Sequence, residues 1–278
     1  MERDLAIVRD LCRLYDPATS KPMQFQSLLS GSQYLPLYQL TRRYARPGMT
    51  VLDWGSGNGH FSYFLMEIGL DVTGFNLESQ KCALADMLRA RYDDRYCICF
   101  GDDEEPVRLP FSDDSFDMAF SVGVLEHVRE AGGSELASLT ELRRVLKPGG
   151  FLVCGFLPKK YSWIEFLVRN FFGQKHHHRH RFTKRDISDM LGHSGFELID
   201  LATHGFLPRN SLNRALTNRA GVARWYNLAD RVLERSLAPI AQNFMLCAVK
   251  PLAARSRAPE ERPRGTPSGI SSVRERGA

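Results

Sequence analysis

The sequence predicts a doubly wound α/β domain with a seven-stranded, mostly parallel sheet, N-terminal helices in front of it and a helical insertion before the last strand. Three observations predict it. Short apolar runs alternate with helix-like segments of about ten residues, which is the spacing of parallel strands joined by right-handed crossovers. The first run leads into Val51-Leu52-Asp53-Trp54-Gly55-Ser56-Gly57-Asn58-Gly59-His60-Phe61, a strand ending in an acid, three alternate glycines and the start of a helix. Polar groups recur where strands stop, at Asp53–Gly59, Asn76, Asp102 and Ser121–His127. In such sheets ligands bind beyond the carboxyl ends of the strands.

Taken in order, residues 1–47 form a helical segment. Leu5, Val8, Leu11, Cys12 and Tyr15 recur at helical spacing, Pro17 and residues 28–32 interrupt, and Tyr34 to Tyr44 reads as a second helix. Pro47-Gly48 turns into the first strand, Thr50–Asp53, followed by a helix from His60 to Ile68. Asp71–Asn76 is a strand and Ser79–Arg91 a helix; Tyr96–Phe100 and Phe116–Val122 are strands. Ser134–Leu146 is a helix stopped by Lys147-Pro148-Gly149-Gly150, and Phe151–Phe156 is an apolar strand. Thr183–Ser194 is a helix, and Phe196–Leu201 and Phe244–Val249 complete the sheet. The domain therefore spans 48–252, with an insertion at 209–238. The tail 253–278 is Pro, Gly, Ser, Arg and Glu, a composition expected to be disordered. No internal repeat is visible.

Composition narrows the class. At 278 residues the chain holds one α/β domain plus additions. The start carries no apolar leader, and no run of about 18 apolar residues exists, so a cytoplasmic protein is expected. The six cysteines form no C-x-x-C pair or zinc spacing and read as buried free thiols. The net charge of +5 is uneven: the tail holds six Arg against three Glu, residues 209–238 hold six Arg against Asp230 and Glu234, and residues 1–208 sum to −3. The part with the glycine loop is mildly acidic, so the basic balance does not point to nucleic acid.

A dinucleotide fingerprint G-x-G-x-x-G would need its third glycine where His60 stands. The pattern present is G-x-G-x-G with Asp53 two residues before it, and this resembles motif I of the class I methyltransferases that use S-adenosylmethionine (SAM). The resemblance covers about residues 45–202. In that family the loop lies under the methionine part of SAM and the acid serves its amino acid end. Val72-Thr73-Gly74-Phe75-Asn76 places Asn76 where the family usually has an acid for the ribose hydroxyls, a departure that loses a charge-assisted bond or passes the role to Glu78. Gly101-Asp102-Asp103, Leu109-Pro110-Phe111 and Asp114-Ser115-Phe116-Asp117 resemble the segment whose acid meets the adenine amino group, with Asp102 and Asp103 both open for that role. Ser121-Val122-Gly123-Val124-Leu125-Glu126-His127-Val128 resembles the segment bordering cofactor and substrate, and Leu142 to Leu152 the helix, turn and strand after it. The nearest likeness is to methyltransferase type 11 and its ubiquinone-biosynthesis relatives. The resemblance implies the Rossmann-like SAM methyltransferase fold, SAM as cofactor, and a cofactor set of Asp53, Gly55, Ser56, Gly57, Gly59, Asn76, Leu77, Asp102, Asp103 and Ser121.

Methyl transfer to a hydroxyl needs alignment and a base, and histidine is suited to that near neutral pH. His127 is placed for it by motif, its alternative being a hydrogen bond that shapes the loop. A second candidate is His176-His177-His178-Arg179-His180-Arg181, with His178 and His180 as candidate catalytic groups in a positive site that suits an anionic acceptor. The alternative there is a solvated basic loop. No carboxylate spacing completes a metal site, so no metal is expected. In 209–238, Leu212, Leu216, Ala220, Trp225, Leu228, Val232 and Leu237 alternate with arginines. Internal packing is the favoured reading of that segment; a pocket cap, or contact with the inner face of an anionic membrane, is the alternative. The expected acceptor is a small molecule, a glycan or a lipid-linked group, methylated at oxygen. A nucleic-acid methyltransferase is the second class, disfavoured because Ser121-Val122-Gly123-Val124 stands where base amino methylation needs its Pro-Pro signature. A non-catalytic SAM-binding partner subunit is the third. Oligomeric state is not legible.

Overall fold

The computed structural model describes residues 2–15, 23–171, 178–209 and 214–252. Among them, seven strands form one sheet: β1 (Thr50–Trp54), β2 (Asp71–Leu77), β3 (Tyr96–Gly101), β4 (Phe116–Val122), β5 (Leu146–Pro158), β6 (Glu197–His204) and β7 (Asn243–Val249). Their order is β3-β2-β1-β4-β5-β7-β6. The first five pair in parallel, and β7 runs antiparallel to both neighbours. The strand order reverses between β1 and β4, so their carboxyl ends open a crevice there.

Side chains alternate across each strand. Val51 enters the core on one face of the sheet, and Leu52 and Trp54 enter the core on the other. The first face is covered by α1 (Glu2–Leu14), α2 (Leu28–Gly31), α3 (Leu35–Tyr44), α4 (His60–Glu67) and α5 (Ala85–Tyr92). The second is covered by α6 (Glu135–Val145) and α8 (Lys184–His193). The N-terminal helices are part of the domain's own core. Val8, Leu11, Leu29 and Leu37 are fully buried, and Tyr38 stacks on Phe64 at 3.7 Å and 3°. Each such side chain contributes about 1.5–3 kcal/mol by leaving water. Gly155 in β5 explains how closely α3 lies, since a Cβ there would stand 2.6 Å from Leu37 Cδ2.

Several boundaries differ from expectation. The helix expected from Ser79 begins only at Ala85, because residues 78–84 are tied down as a loop: Leu84 N–H donates to Asn58 O (3.2 Å), and the Ser79 hydroxyl donates to Asp103 (2.7 Å). Strand β5 starts at Leu146 rather than Phe151. Lys147-Pro148-Gly149-Gly150 continues it irregularly, held when Gly149 N–H donates to Lys250 O (2.8 Å). A helix not foreseen, α7 (Trp163–Phe171), follows β5.

The insertion holds α9 (Arg214–Thr217) and α10 (Ala220–Ser236). The favoured packing of its apolar residues is overturned. The face of α10 turned inward carries Ala223, Asn227 and Asp230, while Leu216, Trp225, Leu228, Val232 and Leu237 are exposed. Leu212 lies outside the described residues. Burying Asp230 is tolerable because it is fully partnered. It pairs with the buried Arg209 guanidinium and accepts the backbone N–H groups of Phe206 (2.9 Å) and Leu207 (2.6 Å). Arg209 also donates to Ser32 (3.0 Å), so it is a packing residue and not a free surface cation.

Candidate active site

The glycine loop takes its shape from three left-handed residues, Gly55, Gly57 and Gly59, with φ of 70°, 52° and 85°. Its amides are largely engaged. Gly55 and Ser56 N–H both donate to Phe75 O (2.8 and 3.1 Å), which ties the loop to β2. Asn76, buried at the end of β2, closes the clasp: its Oδ1 accepts Gly57 N–H (2.9 Å) and the Ser56 hydroxyl (3.3 Å), and its Nδ2 donates to Gly57 O (3.1 Å). The amide at this family-acid position therefore holds the loop in place. Asp53 is buried too, and accepts the Ser62 hydroxyl at 2.6 Å, which ties it to the first turn of α4. Burial pushes its carboxyl up to about 6 despite that bond.

An open cleft lies beside this loop, lined by Trp54, Gly55, Asn76, Leu77, Gln80, Pro106, Val107 and, at one border, His127 and Val128. Of the expected cofactor set, Gly55, Asn76 and Leu77 line it. Gly57 and Gly59 shape the loop, and Ser121 is buried at the end of β4 without lining it. Asp102 and Asp103 are not among the residues that line it. Both are exposed, Asp102 accepting Glu104 N–H (2.8 Å) and Asp103 accepting Ser79 N–H (2.9 Å). Gln80, Pro106 and Val107 stand in the cavity wall instead. Gln80, four residues past Asn76, was the only one of these with a signal in the sequence, its nearness to a strand end.

His127 follows a tight turn, its N–H donating to Val124 O (2.8 Å), and its Nδ1 lies 3.1 Å from Glu130 Oε2. His178 comes from the distant segment after α7, with its Nδ1 2.6 Å from Glu165 Oε1 and its N–H donating to Glu165 Oε2 (3.2 Å). The two rings meet at 5.9 Å. Close to both is Glu126, buried, with Oε2 lacking any hydrogen-bond partner among the described residues. Burial pushes Glu126 up to about 7. The hydrogen bond to Glu165 raises His178 above the ordinary histidine value. Burial opposes ionisation of Glu165, but its bonds and charge contact with His178 hold it below the usual carboxylate range. Glu126, His127 and His178 bring ligand atoms within 4.8 Å of one another, a set able to hold a divalent ion. The expectation that no carboxylate completes a metal set is thus corrected, because the carboxylate comes from another strand end. His180, half-buried, is not in this group, and His176 and His177 lie outside the described residues.

A histidine beside the glycine loop was overlooked in the sequence. His60, first residue of α4, has both ring nitrogens buried and unpartnered, and burial pushes it down to about 4. Its ring sits 5.2 Å from Phe25 and 4.9 Å from Tyr34, so the N-terminal segment seals the glycine loop from that side.

Residues 52–154 match the family described as "Methyltransferase domain". The chain is 26% identical over 160 residues to a ubiquinone biosynthesis O-methyltransferase of Cereibacter sphaeroides, covering 55% of this chain and 62% of that protein. It is 38% identical over 109 residues to the demethylmenaquinone methyltransferase of Beutenbergia cavernae, covering 39% and 41%. It is 28% identical over 168 residues to phosphoethanolamine N-methyltransferase 2 of Caenorhabditis elegans, covering 59% and 36%. The matched stretch spans less than two thirds of each of these relatives. The fold is shared with a SAM-dependent methyltransferase from Methanosarcina mazei (TM-score 0.54, 19% identity, 77% of this chain and 98% of that one). It is shared too with the 1,6-didemethyltoxoflavin-N1-methyltransferase of Burkholderia thailandensis (TM-score 0.53, 18% identity, 79% of each chain).

Proposed function

Residues 52–154 belong to the class I SAM-dependent methyltransferase family, and from that premise we propose that the chain methylates a hydroxyl oxygen of its acceptor, with His178 as the base. The observation that carries this reading is the His178–Glu165 pair at 2.6 Å, set across from His127 at the cofactor cavity. Bound SAM supplies an electrophilic methyl group already attached to its leaving group. The residues present fit that cofactor. The loop approaches a ligand at Gly55, where a Cβ would meet Val124 Cγ2 at 2.5 Å, and Leu77, Pro106 and Val107 offer apolar walls for a base.

With Nδ1–H donated to Glu165, Nε2 of His178 is the nitrogen free to accept the acceptor's proton. Glu165 then stabilises the imidazolium that results, as a buried carboxylate does for a histidine base. Glu130 orients His127 in the same way, which suits it to position the acceptor. An O-methyltransferase among the relatives is consistent with this chemistry.

The pH dependence follows from sign. A base works unprotonated, and Glu165 raises the His178 value, so kcat/KM is expected to rise with pH through a value above that of an ordinary histidine. Glu126, Glu130 and His127 also face His178, so the limb belongs to the cluster as a whole. Glu165→Gln removes the charge that holds the proton, so the limb moves to lower pH. A wild-type profile flat between about pH 5 and about 8 would take the base role from His178.

A further inference from the structure

We infer that the outward face of α10 docks on an anionic phospholipid bilayer. This helix is amphipathic in reverse. Its polar Asn227 and Asp230 face the protein, while Val222, Trp225, Leu228 and Val232 stand 36%, 74%, 50% and 57% exposed. Those four positions step by three, three and four residues, which puts them on one side of a helix. The inward orientation is fixed, because Arg209 and two backbone N–H groups are bound to Asp230 and Ser32 donates to Asn227 (3.2 Å). Rotating the helix to hide Trp225 would strand that buried network.

The surroundings of the stripe carry positive charge. Arg231 and Arg235 lie on α10 beside it, with Arg224, which is paired with Glu2 at 2.7 Å. Past the end of α10, Leu237 and Ile240 are each 39% exposed, and Ile240 lines a cleft with Tyr161, Phe166, Lys160, Arg169 and Arg181. Phe166, on α7, is 64% exposed. An indole and aliphatic side chains bordered by arginines match the acyl boundary and the anionic headgroups of a bilayer surface. No helix among the described residues is long and apolar enough to cross a membrane, so the contact is lateral.

Helix α7 links this face to the site, since it carries both the exposed Phe166 and the Glu165 that holds His178. Resting on the methyl-transfer reading, this geometry makes the acceptor a lipid-borne hydroxyl.

The test is co-sedimentation of the full chain with vesicles, which reads docking without turnover, so failure of docking and failure of the methyl-transfer reading are separately visible. Phosphatidylcholine vesicles are compared with phosphatidylcholine–phosphatidylglycerol vesicles at low and high salt. The chain is expected to bind the mixed vesicles, to bind neutral ones more weakly, and to release as salt rises. Trp225→Ser with Val232→Ser is expected to weaken binding more than about tenfold. The changed side chains are exposed, so the melting temperature is expected to hold. Wild-type binding that does not distinguish the two vesicles, or a double variant that sediments like wild type, would overturn the inference. So would a concentration-dependent dimer that Trp225→Ser dissociates, which would make a second copy the occupant.

Discussion

His178→Ala is expected to lower methyl transfer by about 10²–10⁴-fold, the range for loss of a positioned base, with SAM affinity nearly unchanged. The split follows from position: the cofactor cavity is lined by the glycine loop, the end of β2 and the 106–107 turn, while His178 stands beyond it with Glu165 and Glu126. Alanine also leaves a mostly buried Glu165 carboxylate without its partner, which costs stability as well as chemistry. His178→Gln separates the two effects. Its amide can still donate to Glu165 but accepts no proton at the Nε2 position. The expected result is recovered melting temperature with activity still lost. Stopped turnover assays and equilibrium SAM binding on both variants decide it. Full activity in His178→Gln would reduce His178 to a brace for α7.

Gly55→Val is expected to weaken SAM binding by more than about 100-fold, because two independent penalties coincide. The residue sits at φ 70°, a left-handed conformation that costs a β-branched side chain more than the usual 1–2 kcal/mol or so. Its Cβ would also stand 2.5 and 2.9 Å from the two methyl groups of Val124. The loop must move, and it is the loop that abuts the ligand. Gly57→Ala provides the contrast: φ is 52° there, but only Gly55 O at 3.9 Å lies near the added Cβ, so backbone strain acts alone and the loss is smaller. Adding Val124→Ala to Gly55→Val should restore part of the affinity by removing the clash. Calorimetric titration with SAM measures all four proteins. Wild-type affinity in Gly55→Val would remove the glycine loop from the cofactor site.

What could be read from the sequence was what is written locally. The strand, acid and glycines of 51–59 are contiguous, and the parallel sheet follows from alternation of apolar runs. His127 and His178 were singled out by residue type and position, and the fold brings both to one cluster. What the sequence did not carry is the direction of a side chain. Asn76 stands at the expected strand end, but its amide turns back onto Gly57. Asp102 and Asp103 stand at a strand end and face water. The carboxylates that tune the histidines, Glu126 and Glu165, lie 39 residues apart and are joined only by the fold. The helical spacing in 209–238 shows an apolar stripe, yet periodicity does not say which face turns inward. Here a buried Arg209–Asp230–Asn227 network takes the inner side, against the usual preference.

The central claim is tested most directly by giving the full chain methyl-labelled SAM and a membrane extract, then separating lipid, polysaccharide, soluble metabolite, protein and nucleic acid. The account predicts label in a lipid fraction, as a base-stable methyl ether, at a rate that falls by the His178→Ala factor. Label confined to nucleic acid or protein, or no label in any fraction from a chain that binds SAM, would contradict it.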